Sequence, residues 1–122
     1  MMFRNSLYKA PSDEKEEIAI LYRQGEQKLY KGDKEEATSL FNKVLEEAKS
    51  GIIYSLSCQA LAKMAFDEKR YDEMYAYLEP IKGQLQGKSL AWLHESAFYL
   101  EHFDTVEYLA RECYKLANSA VV

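Results

Sequence analysis

Proline and glycine are scarce in this 122-residue chain, at 2 and 5 copies, which excludes collagen-like and low-complexity linker architectures, since both need far more of them. Cysteine occurs only at Cys58 and Cys113, too few for a disulfide-stapled scaffold. Each falls on an apolar stripe of helical spacing, which predicts two buried, reduced thiols. No apolar run approaches the roughly 18 residues of a membrane span, and MMFRNSLYKAPS has no apolar centre of the kind a secretion signal needs. No membrane partner is expected, and the expected location is cytoplasmic. The 16 Lys and Arg against 20 Asp and Glu leave a net charge of −4, with no run of five or more basic residues, so nucleic acid is not an expected partner either.

Motifs that carry chemistry are also missing. His94-Glu95 begins like a zinc-protease helix, but the second His that must come three residues after the Glu is replaced by Phe98. His94, Glu101 and His102 do not make a convincing ligand set, because Glu101 and His102 fall at a predicted turn. Gly83 and Gly87 in IKGQLQGKS lack the spacing and the preceding strand of a phosphate loop. That segment, Ile81 to Lys88, reads as a loop, with Ser89 available to cap the next helix. The chain is therefore expected not to be an enzyme and to need no cofactor or metal.

What the sequence does contain is helical periodicity, in a chain 48% hydrophobic and 30% charged. Residues 1–12 show no sustained period and read as an arm; a single helical domain is expected over 13–122, with Asp13 and Glu16 placed to cap its first helix. Ile18, Leu21, Gly25 and Leu29 recur at helical spacing, and Lys31-Gly32 ends that stripe. Asp33 and Glu36 form a capping box before a second stripe of Ala37, Leu40, Phe41, Val44, Leu45 and Ala48. A short Gly-Asp link between two such stripes predicts an antiparallel helix hairpin.

The pattern returns. Ala60 to Ile81 has small and apolar residues, a polar turn, Tyr71-Asp72-Glu73, and a stripe of Met74, Leu78 and Ile81. His94 to Leu116 repeats it with Phe103-Asp104-Thr105, then Val106, Leu109, Ala110 and Cys113. Aligning Lys34, Tyr71 and Phe103 after each turn gives a step of 37 residues from 34 to 71 and of 32 from 71 to 103. These bracket the 34-residue period of one helical repeat class.

On those residues the chain resembles the tetratricopeptide repeat family. Leu21, Gly25, Gly32-Asp33, Ala37, Phe41 and Val44 stand at the family's motif places in the first repeat. Cys58, Leu61, Ala62, Phe66, Tyr71, Met74, Leu78 and Ile81 take them in the second, and Leu90, Leu93, His94, Phe98, Phe103, Val106, Ala110 and Cys113 in the third. His94, Met74 and Val106 depart from the small residues usual there. The resemblance implies an all-α fold, a right-handed superhelical stack of three antiparallel hairpins at about 14–49, 52–82 and 88–119.

It further implies a non-enzymatic adaptor or chaperone-like module, whose first helices line a concave groove holding a peptide or partner helix. The groove positions are Tyr22, Glu26, Leu29 and Tyr30, then Gln59, Lys63, Phe66 and Asp67, then Ala91, Glu95, Phe98 and Tyr99. A subclass that grips chaperone C-terminal carboxylates places Lys, Asn, Asn, Lys and Arg where this chain has Tyr22, Glu26, Ala60, Lys88 and Trp92. Only Lys88 fits, and Glu26 would repel a carboxylate. The expected ligand instead carries apolar anchors and a basic residue near Glu26 or Glu95. The alternative expectation is a self-associating module or a fragment of a longer array. In that case Val106, Leu109, Cys113 and Leu116 at the end of the chain form a homodimer face.

Overall fold

The computed structural model describes residues 15–121, with side chains through 115. Regular structure among them is entirely helical. The helices are α1 (Glu16–Tyr30), α2 (Lys34–Glu47), α3 (Ile52–Asp67), α4 (Tyr71–Leu78), α5 (Gly87–Tyr99) and α6 (Phe103–Val121), with a 3-10 segment at Glu79–Gln84. None of the described helices is long and apolar enough to cross a membrane. The chain forms two compact units, Met1–Leu61 and Ala62–Val122, whose boundary falls inside α3.

In the first unit α1 packs along α2. Ile18 of α1 is buried with Val44 of α2 and Ala48 at its C-cap, and Leu21, Tyr22, Ile53 and Tyr54 pack against them. The two helices come close together at Gly25. A Cβ built there would lie 2.7 Å from Cε1 of Phe41, whose ring is fully buried. Asp33 accepts a hydrogen bond from the Glu36 backbone N–H at 3.2 Å, the standard N-cap contact. Only this half of the capping box exists, because the Asp33 N–H is already donated to the Lys28 carbonyl at 2.9 Å. The Asp13 cap lies outside the described residues; the N-cap of α1 is Lys15, with no side-chain cap bond.

In the second unit α5 is central, touching α4, the 3-10 segment and α6. Met74, Leu78, Ile81, Leu85, Leu93, Ala97 and Leu109 are buried there. The stretch read as a loop from Ile81 to Lys88 is therefore corrected. Its first half belongs to the 3-10 segment, where Ile81 is buried, and buried Leu85 follows. Pro80 sits in its first turn, where the missing N–H costs little. α5 starts at Gly87, so Ser89 is a buried residue within the helix and not its cap.

The turns after α1, α3 and α5 share one hydrogen-bonding scheme. After α1, Gly32 N–H bonds the Leu29 carbonyl and Asp33 N–H the Lys28 carbonyl. After α3 the same two bonds run from Lys69 to Phe66 and from Arg70 to Ala65. After α5 they run from Glu101 to Phe98 and from His102 to Ala97. Each is a Schellman cap with its pivot residue in the left-handed region, at φ 89° for Gly32, 58° for Lys69 and 64° for Glu101. The next helices then begin at Lys34, Tyr71 and Phe103. Only the first pivot is a glycine, so the other two carry a Cβ where it is disfavoured. Lys69→Gly and Glu101→Gly should each stabilise the fold by about 0.5 kcal/mol, the relief exceeding the extra chain entropy of glycine. Gly32→Ala should cost about 1 kcal/mol. Urea denaturation followed by helical circular dichroism tests these opposite signs, and equal signs at the three pivots would refute the shared geometry.

Candidate functional site

None of the twelve groove positions named from the sequence is buried. In the first unit Tyr22 is half-buried, its ring 5.7 Å from that of Phe41, and its hydroxyl donates to Glu26 Oε2 at 2.9 Å. Leu29 is half-buried, while Tyr30 stands almost fully in solvent. Gln59 is half-buried and donates to Ser55 Oγ at 3.1 Å. Burial first, then the hydrogen bond and charge of Glu26, push the Tyr22 hydroxyl up to about 12 from 10.0.

A proton held more tightly by the folded than by the unfolded chain stabilises the fold fully below the unfolded value and is lost as pH rises through the folded one. Tyr22 therefore contributes stability at neutral pH that disappears between pH 10.0 and about 12. Tyr22→Phe should flatten the fall in denaturation midpoint across that window. An unchanged slope would show that Tyr22 titrates like a free tyrosine.

In the second unit the aromatic residues cluster. Trp92 of α5 stacks on Phe66 of α3, with centroids 5.5 Å apart. Tyr99 of α5 stacks on Tyr71 of α4 at 4.2 Å, and the Tyr71 hydroxyl reaches Glu95 Oε2 at 3.4 Å. His102 lies on the ring of Tyr75 at 4.4 Å, and the Tyr75 hydroxyl is 2.8 Å from Thr105 Oγ1. Phe98 and Tyr99 remain 62% and 66% exposed. Lys63 and Asp67 pair with each other at 2.9 Å, which neutralises both, whereas Glu95 and Ala91 are exposed. The combination of open rings beside a carboxylate suits apolar anchors flanked by a cation, with the ring faces adding cation–π attraction.

Sequence reasoning placed Tyr71 only as the residue that follows a turn and left Trp92 undecided between core and rim. Both lie in this cluster, half-buried, joined to partners 28 and 26 residues away. Periodicity places residues on faces of one helix and carries no signal for such pairs.

The C-terminal face departs from expectation. Leu109 is 2% exposed and belongs to the core, Val106 is half-buried, and the Leu116 side chain lies outside the described residues. Cys58 is buried as expected, and burial pushes its thiol up to about 11. Cys113 is exposed instead, because no helix among the described residues covers that side of α6.

Comparison of the chain with protein-family models, with curated proteins and with solved structures finds no match.

Proposed function

We propose that this chain is a non-enzymatic protein-binding module built from tetratricopeptide-like helix hairpins, and that it holds a peptide or partner helix against the aromatic face of α5. The observation that carries this reading is Trp92 and Tyr99, seven residues apart on one face of α5 and partly or largely open to solvent, with the Glu95 carboxylate between them in the sequence. Rings with rigid, large contact area are the usual anchors of protein interfaces. The thrice-repeated Schellman turn, at spacings of 37 and 32 residues between helix starts, supports the repeat character on which the reading rests. The ligand expected has an aromatic or branched aliphatic anchor next to Lys or Arg.

A displayed library of random peptides selected on the wild-type chain tests it. The enriched peptides should share that composition and bind a Glu95→Lys/Tyr99→Ala variant at least about tenfold more weakly, each lost anchor being worth about 1 kcal/mol or more. A library that yields no enrichment, or peptides that bind the variant equally well, would sink the proposal.

A further inference from the structure

α5 and α6 leave a cleft of about 700 Å³ between them, lined chiefly by Leu90, His94, Phe98, Leu109, Ala110 and Cys113. Its position in the repeat explains why it is open. Phe41, Leu78 and Ala110 each stand seven residues after the start of their helix, and Val44, Ile81 and Cys113 ten after it. The first two members of each set are at most 3% exposed, while Ala110 and Cys113 are exposed. In the first unit the cover is visible, since Ile53 and Tyr54 of α3 pack against the cluster of Ile18, Val44 and Ala48. In the second, α5 lies on α4. Among the described residues no further helix does this for α6.

Charge and shape identify the occupant. Around the cleft and along α6, Lys88, Arg111 and Lys115 stand against Glu95, Asp104, Glu107 and Glu112, so this face is nearly balanced although the chain carries −4. Two of those charges are paired between Glu107 and Arg111 at 2.7 Å, and two between Glu112 and Lys115 at 3.2 Å. Such a face offers little net attraction to an acidic or basic partner and little net repulsion to its own kind. It also carries both a hole and the knobs to fill one: Phe98 and Tyr114 project at 62% and 68% exposure beside Ala110. A surface that bears both halves of a fit is self-complementary, which a two-fold interface requires.

We propose that the α5–α6 cleft is a homodimer surface, where a second copy of this chain docks about a two-fold axis with its α6 covering that of the first. Glu95 and Phe98 of the peptide-binding face also line the cleft, but the stacks of Trp92 and Tyr99 are not needed for the dimer and its mass is read without peptide, so the two proposals can fail independently. The test is molar mass in solution by light scattering across a wide range of concentration, on the full chain. The mass should rise from the 14.2 kDa of one chain towards twice that value. Ala110→Arg should return it to one chain with helical circular dichroism unchanged, by weakening association about 100-fold or more through a buried unpaired charge.

Because a single variant can misfold, the wild-type chain gives a second readout. Cys113 is the accessible thiol of the two, so its maleimide labelling should slow as concentration rises, while Cys58 stays protected throughout. A 14.2 kDa mass at every concentration overturns the proposal and leaves the cleft to a foreign helix. A dimer that survives Ala110→Arg, or labelling independent of concentration, overturns it as well.

Discussion

Phe41→Ala should destabilise the first unit by about 3–5 kcal/mol, the cost of removing a buried ring and leaving its cavity. Against the roughly 5–15 kcal/mol that holds a domain together, this is enough to bring much of the helical signal of α1 and α2 close to melting at room temperature. The magnitude comes from the position of the ring. Phe41 has no exposed surface, touches the Tyr22 ring, and fills the space that Gly25 leaves by having no side chain. Gly25 and Phe41 are thus two halves of one contact. Gly25→Ala gains helix propensity of about 1 kcal/mol, but it drives a methyl group to 2.7 Å from the ring and should be net destabilising. Combining Gly25→Ala with Phe41→Leu should recover part of the loss, because the smaller side chain vacates the ring edge. Urea denaturation of the two single variants and the double variant measures that coupling. Strict additivity would show that the helices do not meet at this point.

Leu93→Ala should cost about 2–5 kcal/mol in the second unit, whereas Phe103→Ala should change stability by less than about 0.5 kcal/mol. Hydrophobicity alone predicts the reverse order, since Phe is the larger residue. Position decides otherwise. Leu93 is fully buried on α5, the helix that touches α4, the 3-10 segment and α6, while Phe103 is 58% exposed at the first position of α6. Trp92, the one tryptophan of the chain, reports on this directly because its indole stacks on Phe66. Leu93→Ala should shift the emission midpoint of denaturation to much lower urea. Phe103→Ala should leave it in place. A similar cost for the two would mean that α5 is not the centre of the unit.

The local features were legible. Gly32-Asp33 and the stripes on either side announced α1 and α2, and the helix starts at Lys34, Tyr71 and Phe103 coincide with the aligned positions after each turn. Ala37, Phe41, Val44 and Ala48 are buried as their spacing predicts. Sequence suffices for these because a helix period and a turn depend on residues only a few positions apart. The left-handed pivots at Lys69 and Glu101 were not legible, since neither residue prefers that conformation. They adopt it because the neighbouring helices must reverse there.

α3 marks the boundary most clearly. Apolar residues surround it on several sides, and the outcome runs against hydropathy: Ser55 and Ser57 are buried, while Ile52 and Leu56 are exposed. No single-helix pattern contains that choice, because it depends on which neighbours press against which side. The same holds for the candidate sites. Sequence periodicity could place Phe98, Tyr99 and Glu95 on one helix, but the stacking of Trp92 on Phe66 and of Tyr99 on Tyr71 required helices to be brought together.

By itself, then, the sequence determined an all-helical chain, its hairpin turns, and the inward stripes of α1 and α2, all consequences of short-range geometry. Only the tertiary structure decided that Leu109 is core while Cys113, four residues later, is open to solvent. Burial is a property of what lies opposite a side chain, and a helix carries no record of whether its neighbour is there.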